Sequence, residues 1–202
     1  MINNKVTIYI SAFNAERTIE KSIISILNQS YSFNEIIIVD DNSQDRTTQL
    51  VRKYKKIKLI VNSTNKGLSH NRNEAIKNSS NDLIASIDAD VVLNENWLEI
   101  ILEKFNQNTN IMCGGKMTEK NTDNKFNLWR AKYYSQNWGD EDIYNPPYLF
   151  GCNTIFNKKI WEIVGGYDEK LRTNGEDIDF SNRIKLHSNF KLIYCSKATC
   201  EH

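Results

Sequence analysis

The stretch Leu83-Ile84-Ala85-Ser86-Ile87-Asp88-Ala89-Asp90 joins an apolar run to two carboxylates separated by one residue. The apolar part predicts a buried strand, and Asp88 and Asp90 leave its carboxyl end together. In an open α/β sheet, ligands bind outside the carboxyl ends of the strands. Because Mg²⁺ and Mn²⁺ prefer one or two carboxylates together with phosphate oxygens, the stretch indicates a metal–diphosphate site. Two aspartates in a solvated loop are the alternative.

Strands and helices are predicted to alternate through the first half of the chain, from apolar runs and from apolar residues at helical spacing. The predicted strands cover residues 5–11, 35–40, 57–61, 83–87, 111–116, 149–156 and 191–195. The predicted helices cover 17–28, 46–54 with Asp45 as N-cap, 68–78, 95–105, and a late segment from Phe180 to Leu186. This order predicts an α/β fold with a Rossmann-like, mostly parallel central sheet and helices on both faces.

Composition limits the classes of function. The chain has 202 residues, and its formal net charge of +1 provides no basic field, so nucleic acid is not a predicted partner. The four cysteines show no CxxC spacing, which argues against zinc or disulfides and favours a reducing compartment. No signal peptide is evident, and no apolar stretch reaches the roughly 20 residues of a membrane span. We predict a cytoplasmic location, with peripheral attachment at the inner face of the membrane as the alternative.

One domain, residues 1–202, is predicted, with residues 1–115 as its nucleotide-binding half and 116–202 as a less regular half. The segment from Thr118 to Tyr148 is rich in aromatic residues, namely Phe126, Trp129, Tyr133, Tyr134, Trp138, Tyr144 and Tyr148. The chain ends at Cys200-Glu201-His202 without an evident capping element, which suggests a catalytic segment cut from a longer protein.

Acidic or polar clusters follow the predicted strands. Three stand at strand ends, in residues 12–16, 40–43 and 88–90, and Gly175-Glu176-Asp177-Ile178-Asp179 opens the late helix. Because parallel strands point the same way, the first three clusters are expected at one edge of the sheet. Like charges there repel each other and cost stability unless a cation or a donor-rich ligand compensates. This cost favours a functional role for the clusters.

Two clusters also admit a structural role. Asp41 suits a hydrogen bond from a base N–H or a ribose hydroxyl, or else it closes the loop as an Asx-turn. Glu176-Asp177 begins a predicted helix, where the dipole favours an ionised carboxylate; this suits a general base, or else helix capping. The loops G-x-G-x-x-G and G-x-x-x-x-G-K-[ST] are absent, so dinucleotide-binding and P-loop assignments lack their key residues.

Six motifs, in order along the chain, resemble those of family 2 glycosyltransferases with the GT-A fold. Residues 11–16 resemble the opening P-x-Y-N-x-E stretch, with Phe13 where tyrosine is common and Ala12 departing from the usual loop. Residues 38–45, Ile-Val-Asp-Asp-Asn-Ser-Gln-Asp, closely resemble the V-D-D-x-S-x-D nucleotide loop.

The remaining motifs extend the resemblance to Arg183. Residues 65–73 resemble N-x-G-x-x-x-A-R-N, with Asn71 replacing the usual alanine, and Asp88-Ala89-Asp90 matches D-x-D. Residues 165–169 and 175–180 resemble G-G-F-D-E and G-E-D-x-D-L, and Arg183 stands where that helix carries an arginine.

The resemblance implies an inverting transferase that uses a nucleotide-sugar, most often a UDP-sugar, together with Mn²⁺ or Mg²⁺. It implies Asp177 as the catalytic base with Glu176 beside it at the acceptor side. It implies Asp90, Asp88 and His202 as the metal site. The residues implied at the nucleotide are Ala12, Phe13, Asn14, Glu16, Asp41, Lys66, Gly67, Arg72, Asp88 and Ala89.

Acceptors in this family range from polysaccharide and lipid-linked sugars to protein. The aromatic segment from Thr118 to Tyr148 is a candidate acceptor wall, with ordinary core packing as the alternative. A non-catalytic nucleotide- or carbohydrate-binding remnant of the same fold is the competing function. A sugar-phosphate nucleotidylyltransferase is disfavoured because the chain has no G-x-G-T-R-like loop.

Overall fold

The computed structural model describes residues 5–105, 108–120, 125, 128–129, 131 and 135–202. The strands are β1 (Val6–Ala12), β2 (Glu35–Asp40), β3 (Ile57–Val61), β4 (Leu83–Asp88), β5 (Val92–Leu93), β6 (Ile111–Thr118), β7 (Ile143–Tyr144), β8 (Asn153–Asn157) and β9 (Lys191–Glu201). The helices are α1 (Ile19–Leu27), α2 (Thr47–Val51), α3 (Leu68–Lys77), α4 (Trp97–Phe105), α5 (Lys158–Val164) and α6 (Glu176–Lys185).

These strands form one sheet in the order β3-β2-β1-β4-β8-β6-β9-β5, with β7 paired to β9. Strands β1 to β4 are parallel, and β1 lies between β2 and β4. Strand β8 runs antiparallel to β4 and β6, whereas β9 is parallel to β6. Strands β5 and β7 are antiparallel to β9. The predicted α/β class is confirmed, and the parallel arrangement is complete in the first half only.

Two apolar layers enclose the sheet, one on each face. Ile8 of β1 packs in a layer with residues of α1, α2 and α4, whereas its neighbour Tyr9 packs in the other layer with residues of α3, α5 and α6. In α1, the helical spacing of Ile19, Ile23, Ile26 and Leu27 predicts one apolar side. The three isoleucines are buried, whereas Leu27 is 43% exposed at the last residue of the helix. Strands whose residues are buried on both faces are typical of parallel sheets covered by helices.

Helix α2 covers Thr47–Val51 rather than residues 46–54, and strand β8 is also shorter than predicted. Helix α2 begins at Thr47 with Arg46 at the N-cap position, although the Asp45 carboxylate still accepts the Thr47 N–H at 2.9 Å. Strand β8 begins at Asn153 rather than at residue 149. The preceding Gly151 bonds side chains rather than a neighbouring strand, since its N–H donates to Asp177 and its carbonyl accepts from Arg72.

The last strand continues to Glu201, beyond the predicted end at residue 195. Its register against β6 shifts between Gly115 and Lys116, where the chain bulges. A Cβ atom at Gly115 would lie 2.1 Å from the Ala198 carbonyl oxygen, so only glycine fits beside this bulge. The sequence pattern missed β5, β7 and α5, although Asn157 caps α5 by accepting the Lys159 N–H.

The direction of the chain order reverses at β1. The chain passes from β1 to β2 on one side and later returns to β4 on the other, so the carboxyl ends of these strands, at Ala12, Asp40 and Asp88, lie side by side. Such a switch point is the usual position of a ligand site in an open α/β sheet.

All four cysteines are buried and free. Within the described residues, no helix has both the length and the apolar character needed to cross a membrane.

We expect Ile101→Ala to lower the free energy of unfolding by about 2–5 kcal/mol, because Ile101 of α4 is fully buried. The matched control is Ile163→Ala in α5, where the side chain is 47% exposed and the expected loss is below about 1 kcal/mol. Urea denaturation of both variants provides the measurement. Equal losses would contradict the packing of α4 against the sheet.

Candidate active site

A cavity of about 790 Å³ lies at the carboxyl edge of the sheet. Among the residues implied by the resemblance, those that line it are Phe13, Asn14, Glu16, Asp41, Gly67, Asp88, Ala89 and Asp90. Chain segments that are far apart in sequence therefore meet around one space. The clustering of the first three acidic loops at one edge follows from the parallel strands that carry them.

Three of the implied nucleotide residues do not form the cavity wall. Ala12 is buried, and its carbonyl accepts the Asp41 N–H at 2.8 Å. Lys66 is exposed and contributes its backbone N–H to the Asp41 carboxylate. Arg72 is only 1% exposed and lies beneath the cavity, so its guanidinium contacts other protein groups rather than the open space. These three residues support the site from behind.

The Asp41 carboxylate is held by three protein donors. Oδ1 accepts from Asn62 Nδ2 at 2.8 Å and from the Lys66 N–H at 2.8 Å, and Oδ2 accepts the Gly67 N–H at 2.9 Å. These donors come from another loop, so Asp41 does not form an Asx-turn. Of these three hydrogen bonds Oδ1 accepts two and Oδ2 accepts one.

These three donors and the side chain of Asn71 set the protonation of Asp41. Burial is the largest influence and acts to raise the pKa of its carboxyl group, but the hydrogen bonds from Lys66, Asn62, Gly67 and Asn71 outweigh it and hold the pKa below its ordinary value. Asp41 is therefore an ionised acceptor at neutral pH.

Gly67 is confined between Asp41 and the loop before α6. Its φ of +94° favours glycine, and a Cβ atom there would lie 2.9 Å from both Cβ and the carbonyl oxygen of Arg172. That carbonyl also accepts the Leu68 N–H at 2.7 Å. Arg172 and Thr173 line the cavity, yet they fall between two recognised motifs and carry no pattern of their own.

Further cavity residues lay within or beside quoted motifs without being assigned a role. They are Ser11, Ala15, Arg17, Thr18, Asn65, Leu68 and Asn71. Their burial and direction depend on how the loops fold, which the motif spacing does not specify.

The loops after β1 and β2 are joined by reciprocal hydrogen bonds. The Asn14 N–H donates to Ser43 Oγ at 2.9 Å, and Asn14 Oδ1 accepts the Gln44 N–H at 2.8 Å. The Glu16 carboxylate accepts from Arg46 Nε at 3.1 Å, and its bonds with the Arg46 backbone and side chain lower its pKa. Glu16 is thus engaged in joining the loops as well as lining the cavity.

Asp90 and His202 approach each other at the cavity. His202 Nε2 lies 3.4 Å from Asp90 Oδ2, and His202 Nδ1 lies 3.1 Å from Glu119 Oε1. The backbone of His202 is fixed, because its N–H donates to the Thr118 carbonyl at 2.9 Å and its carbonyl accepts the Lys120 N–H at 3.0 Å. The histidine is therefore ordered beside the D-x-D element.

This pair fits a small divalent cation. Across the described residues, no group of three or more His, Cys, Asp or Glu side chains is arranged to hold a metal ion. Mg²⁺ and Mn²⁺ need fewer protein ligands, since one or two carboxylates and substrate phosphates suffice. The 3.4 Å between Asp90 Oδ2 and His202 Nε2 is close to the ~3.0 Å between adjacent ligands of an octahedron with bonds of about 2.1 Å.

Arg72 joins Asp88 to Glu176. Its Nη2 donates to Asp88 Oδ1 at 2.9 Å, and its Nε donates to Glu176 Oε1 at 3.2 Å. Burial has the largest effect on both carboxyl groups and raises their pKa values, whereas the Arg72 charge opposes the rise. Asp88 is thus directed towards Arg72, and the Glu176 side chain does not cap the helix that it begins.

Asp177 is oriented by two backbone donors. Its Oδ2 accepts the Gly151 N–H at 2.9 Å, and its Oδ1 accepts the Ile178 N–H at 2.8 Å. The residue is partly exposed and its charge acts on Asp88, so the predicted base lies close to the D-x-D element.

The aromatic segment is only partly described. Trp138 packs against Tyr148 with ring centroids 5.7 Å apart and against Tyr194 at 5.2 Å, and Tyr148 packs against Phe150 at 5.3 Å. Trp129 is 49% exposed and Tyr144 is exposed in β7. The predicted wall residues Phe126, Tyr133 and Tyr134 lie outside the described residues.

We expect Asp41→Asn to lower the free energy of unfolding at pH 7 by about 1–3 kcal/mol, because an amide cannot accept all three N–H donors. The lowered pKa of Asp41 stabilises the fold above the ordinary Asp pKa of about 4, and this contribution is lost as pH falls through the folded-state pKa. The difference in free energy of unfolding between wild type and Asp41→Asn should therefore become smaller below about pH 4.

Urea denaturation of both proteins from pH 7 to pH 3 measures this difference in free energy of unfolding. Asp82→Asn, at an exposed position, is the control, and its free energy of unfolding should stay close to that of wild type at every pH. A loss of stability in Asp41→Asn that stays constant with pH would contradict stabilisation of the fold by the ionised Asp41 carboxylate.

Solved structures share this fold. S. aureus TarS 1–349 in complex with UDP-GlcNAc superposes with a TM-score of 0.81 and 21% identity, covering 98% of this chain and 58% of that one. The mannosyltransferase PcManGT from Pyrobaculum calidifontis, in complex with GDP-Man and Mn²⁺, superposes with a TM-score of 0.77 and 19% identity, covering 98% of this chain and 56% of that one. At these identities the similarity establishes the GT-A fold alone.

Sequence comparison gives the family. Chondroitin synthase from Escherichia coli is 27% identical over 197 residues, which cover 93% of this chain. The chain spans only 27% of the length of that relative. The family described as "Glycosyl transferase family 2" matches residues 7–164, which is most of the chain. The motif-based prediction is thereby confirmed, and the chain belongs to glycosyl transferase family 2.

Proposed function

We propose that this chain forms the donor-binding and catalytic part of a glycosyltransferase that moves a sugar from a UDP-sugar to an acceptor hydroxyl. The carrying observation is the single cavity whose wall contains both Asp41 and Asp90. Asp41 follows β2 and Asp88 ends β4, with β1 between them, so two strand spacings of about 4.8 Å separate these positions. A nucleoside diphosphate carries an N–H donor on its base and anionic phosphates at its other end. Its base would face Asp41, and its phosphates would face Asp90.

Asp41 supports uracil as the base. Oδ2 accepts one of the three hydrogen bonds and would be the atom that accepts the N–H of a uracil ring, and the ionised state of Asp41 gives a charge-assisted bond. Guanine also offers an N–H edge, so GDP is the competitor. The ring of Phe13, which is 51% exposed in the cavity wall, provides a stacking surface for the base.

Asp90 and His202 would hold a divalent cation, with Asp88 completing the acidic side of the site. A bound Mn²⁺ or Mg²⁺ supplies Lewis-acid neutralisation of the charge that develops on the departing diphosphate. The chain itself contributes the orientation, because the β6–β9 backbone pairing fixes His202 beside Asp90.

Asp177 is the proposed general base. The N–H groups of Gly151 and Ile178 hold its two oxygens in a fixed orientation, from which it would take the proton of the attacking acceptor hydroxyl. Attack on the anomeric carbon from the face opposite to the diphosphate inverts the configuration. Glu176 is buried against Arg72, so its role is to support Asp177 rather than to take the proton.

The acceptor is proposed to be a carbohydrate, carried on polymer, lipid or protein, in cell-surface polysaccharide or glycoconjugate synthesis. The proposal draws on the similarity to chondroitin synthase. Trp129 and Tyr144 are exposed aromatic rings in the second half of the chain, and such rings pack well against the apolar faces of sugars.

We expect UDP to bind more tightly than GDP, CDP or TDP when Mn²⁺ is present, as measured by calorimetry. Asp90→Ala should weaken Mn²⁺-dependent UDP binding by at least about tenfold, because it removes a ligand of the ion. Asp140→Ala, at a side chain 91% exposed and outside the cavity, is the control and should leave the affinity unchanged. If GDP binds most tightly, the donor is a GDP-sugar rather than a UDP-sugar. An unchanged UDP affinity in Asp90→Ala would refute the metal site.

We expect Asp177→Asn to reduce sugar transfer and acceptor-free hydrolysis of UDP-GlcNAc or another UDP-sugar by about 10²–10⁴-fold, with donor binding retained. Asp179→Asn, on the same helix but paired with Arg183, is the matched control and should stay within about threefold of wild type. If the wild type binds UDP but turns over no UDP-sugar, the non-catalytic remnant is the better description. Full turnover by Asp177→Asn rules out this base.

A further inference from the structure

The buried guanidinium of Arg72 contacts four residues, which belong to three separate parts of the active site. Its Nε donates to Glu176 at 3.2 Å and its Nη2 to Asp88 at 2.9 Å. Its Nη1 donates to Ser86 Oγ at 2.6 Å and to the Gly151 carbonyl at 3.0 Å. These partners belong to β4, to the turn before β8 and to the start of α6. One side chain of α3 therefore joins the donor side of the site to its acceptor side.

We infer that Arg72 is a positioning residue that holds Glu176 and Asp177 in fixed register with Asp88. The inference rests on the proposed function, because it assigns Asp177 to the acceptor side and Asp88 to the donor side. Arg72 itself touches neither substrate, since it lies beneath the cavity.

The direct connection depends on the shape of the guanidinium. A planar fork with donors in fixed directions binds two different carboxylates at once, here Glu176 through Nε and Asp88 through Nη2. The ammonium of a lysine is a compact point charge without this geometry. A lysine at position 72 would keep the charge but lose the simultaneous hold on both carboxylates.

A second connection runs through Gly151 to Asp177. The Gly151 carbonyl accepts from Arg72 Nη1 and from Ser86 Oγ, and the Gly151 N–H donates to Asp177 Oδ2. A Cβ atom at Gly151 would lie 2.9 Å from Cζ and Nη2 of Arg72. Because Arg72 is enclosed and hydrogen bonded, a side chain at position 151 would force the guanidinium away from its partners. The glycine thus allows the guanidinium to sit directly against the residue that orients the base.

Enclosure also removes alternative positions for the guanidinium. The ring of Tyr167 lies over it, with Cζ 5.8 Å from the ring centroid. A side chain that is held on several sides keeps the distances between its partners fixed. This makes Arg72 a fixed spacer between Asp88 and the first turn of α6.

The test compares Arg72→Lys with the control Arg183→Lys. Arg183 also makes a forked contact, to Asp179 and to the Val164 carbonyl, but outside the site. Calorimetric titration with UDP and Mn²⁺ gives the affinity and the fraction of binding-competent protein for each variant. Turnover of a UDP-sugar is then expressed per binding-competent site, which separates positioning from simple loss of folded protein.

We expect Arg72→Lys to bind UDP within about threefold of wild type while kcat per competent site falls about 100-fold, the usual effect of an ~1 Å misplacement. Arg183→Lys should match wild type in both. A kcat per competent site that stays within threefold, with or without a loss of folded protein, would overturn the inference.

Gly151→Ala provides a second variant in case Arg72→Lys does not fold. It displaces the guanidinium without changing any charge, and the same separation of kcat from UDP affinity is expected. Crystal structures of both variants supply a readout that needs no activity. If the wild type proves inactive, the proposed function fails, but the inference is still decided. Shifted Glu176 and Asp177 carboxylates relative to Asp88 support it, and unshifted carboxylates overturn it.

Discussion

The free-energy cost of keeping buried carboxylates ionised at the carboxyl edge of the sheet is the constraint on which the site depends. Asp41, Asp88 and Glu176 lie at or beneath this edge, and an ionised group there is costly unless donors or cations offset it. The chain supplies two solutions. Backbone N–H groups of the loop at Gly67 satisfy Asp41, and the guanidinium of Arg72 satisfies Asp88 and Glu176 together. The D-x-D element keeps a carboxylate at Asp90, which faces the cavity with His202 beside it.

The topology explains why the loops meet. Parallel strands β1, β2 and β4 bring their carboxyl ends together at the switch point, and the loops that follow β1 and β2 then bind each other. The antiparallel strand β8 lies between β4 and β6 and brings the turn at Gly151 next to Arg72. The parallel half thus builds the proposed donor side, and the mixed half adds the proposed base from the start of α6.

Local pattern was enough for much of the fold. Strands β2 and β3 have the predicted bounds. The β-branched run of β2 is buried, as is typical of a strand covered by helices, whereas β3 lies at the edge of the sheet and is partly exposed. The motifs also located Asp41, Asp88 and Asp90 in one cavity. What the pattern missed are contacts at long separation. The resemblance implies Arg72 near the nucleotide, but its partners Gly151 and Glu176 lie 79 and 104 residues further along the chain. The bulge opposite Gly115 has no local signal either.

The most direct test of the account is a crystal structure with UDP and Mn²⁺, with anomalous scattering used to locate the metal. The account predicts a manganese peak bonded to Asp90 and His202 at about 2.0–2.2 Å and in contact with diphosphate oxygens. It also predicts the uracil N–H at Oδ2 of Asp41, with Arg72 still beneath the cavity. Nucleotide bound away from this edge, or manganese without contact to Asp90, would contradict it.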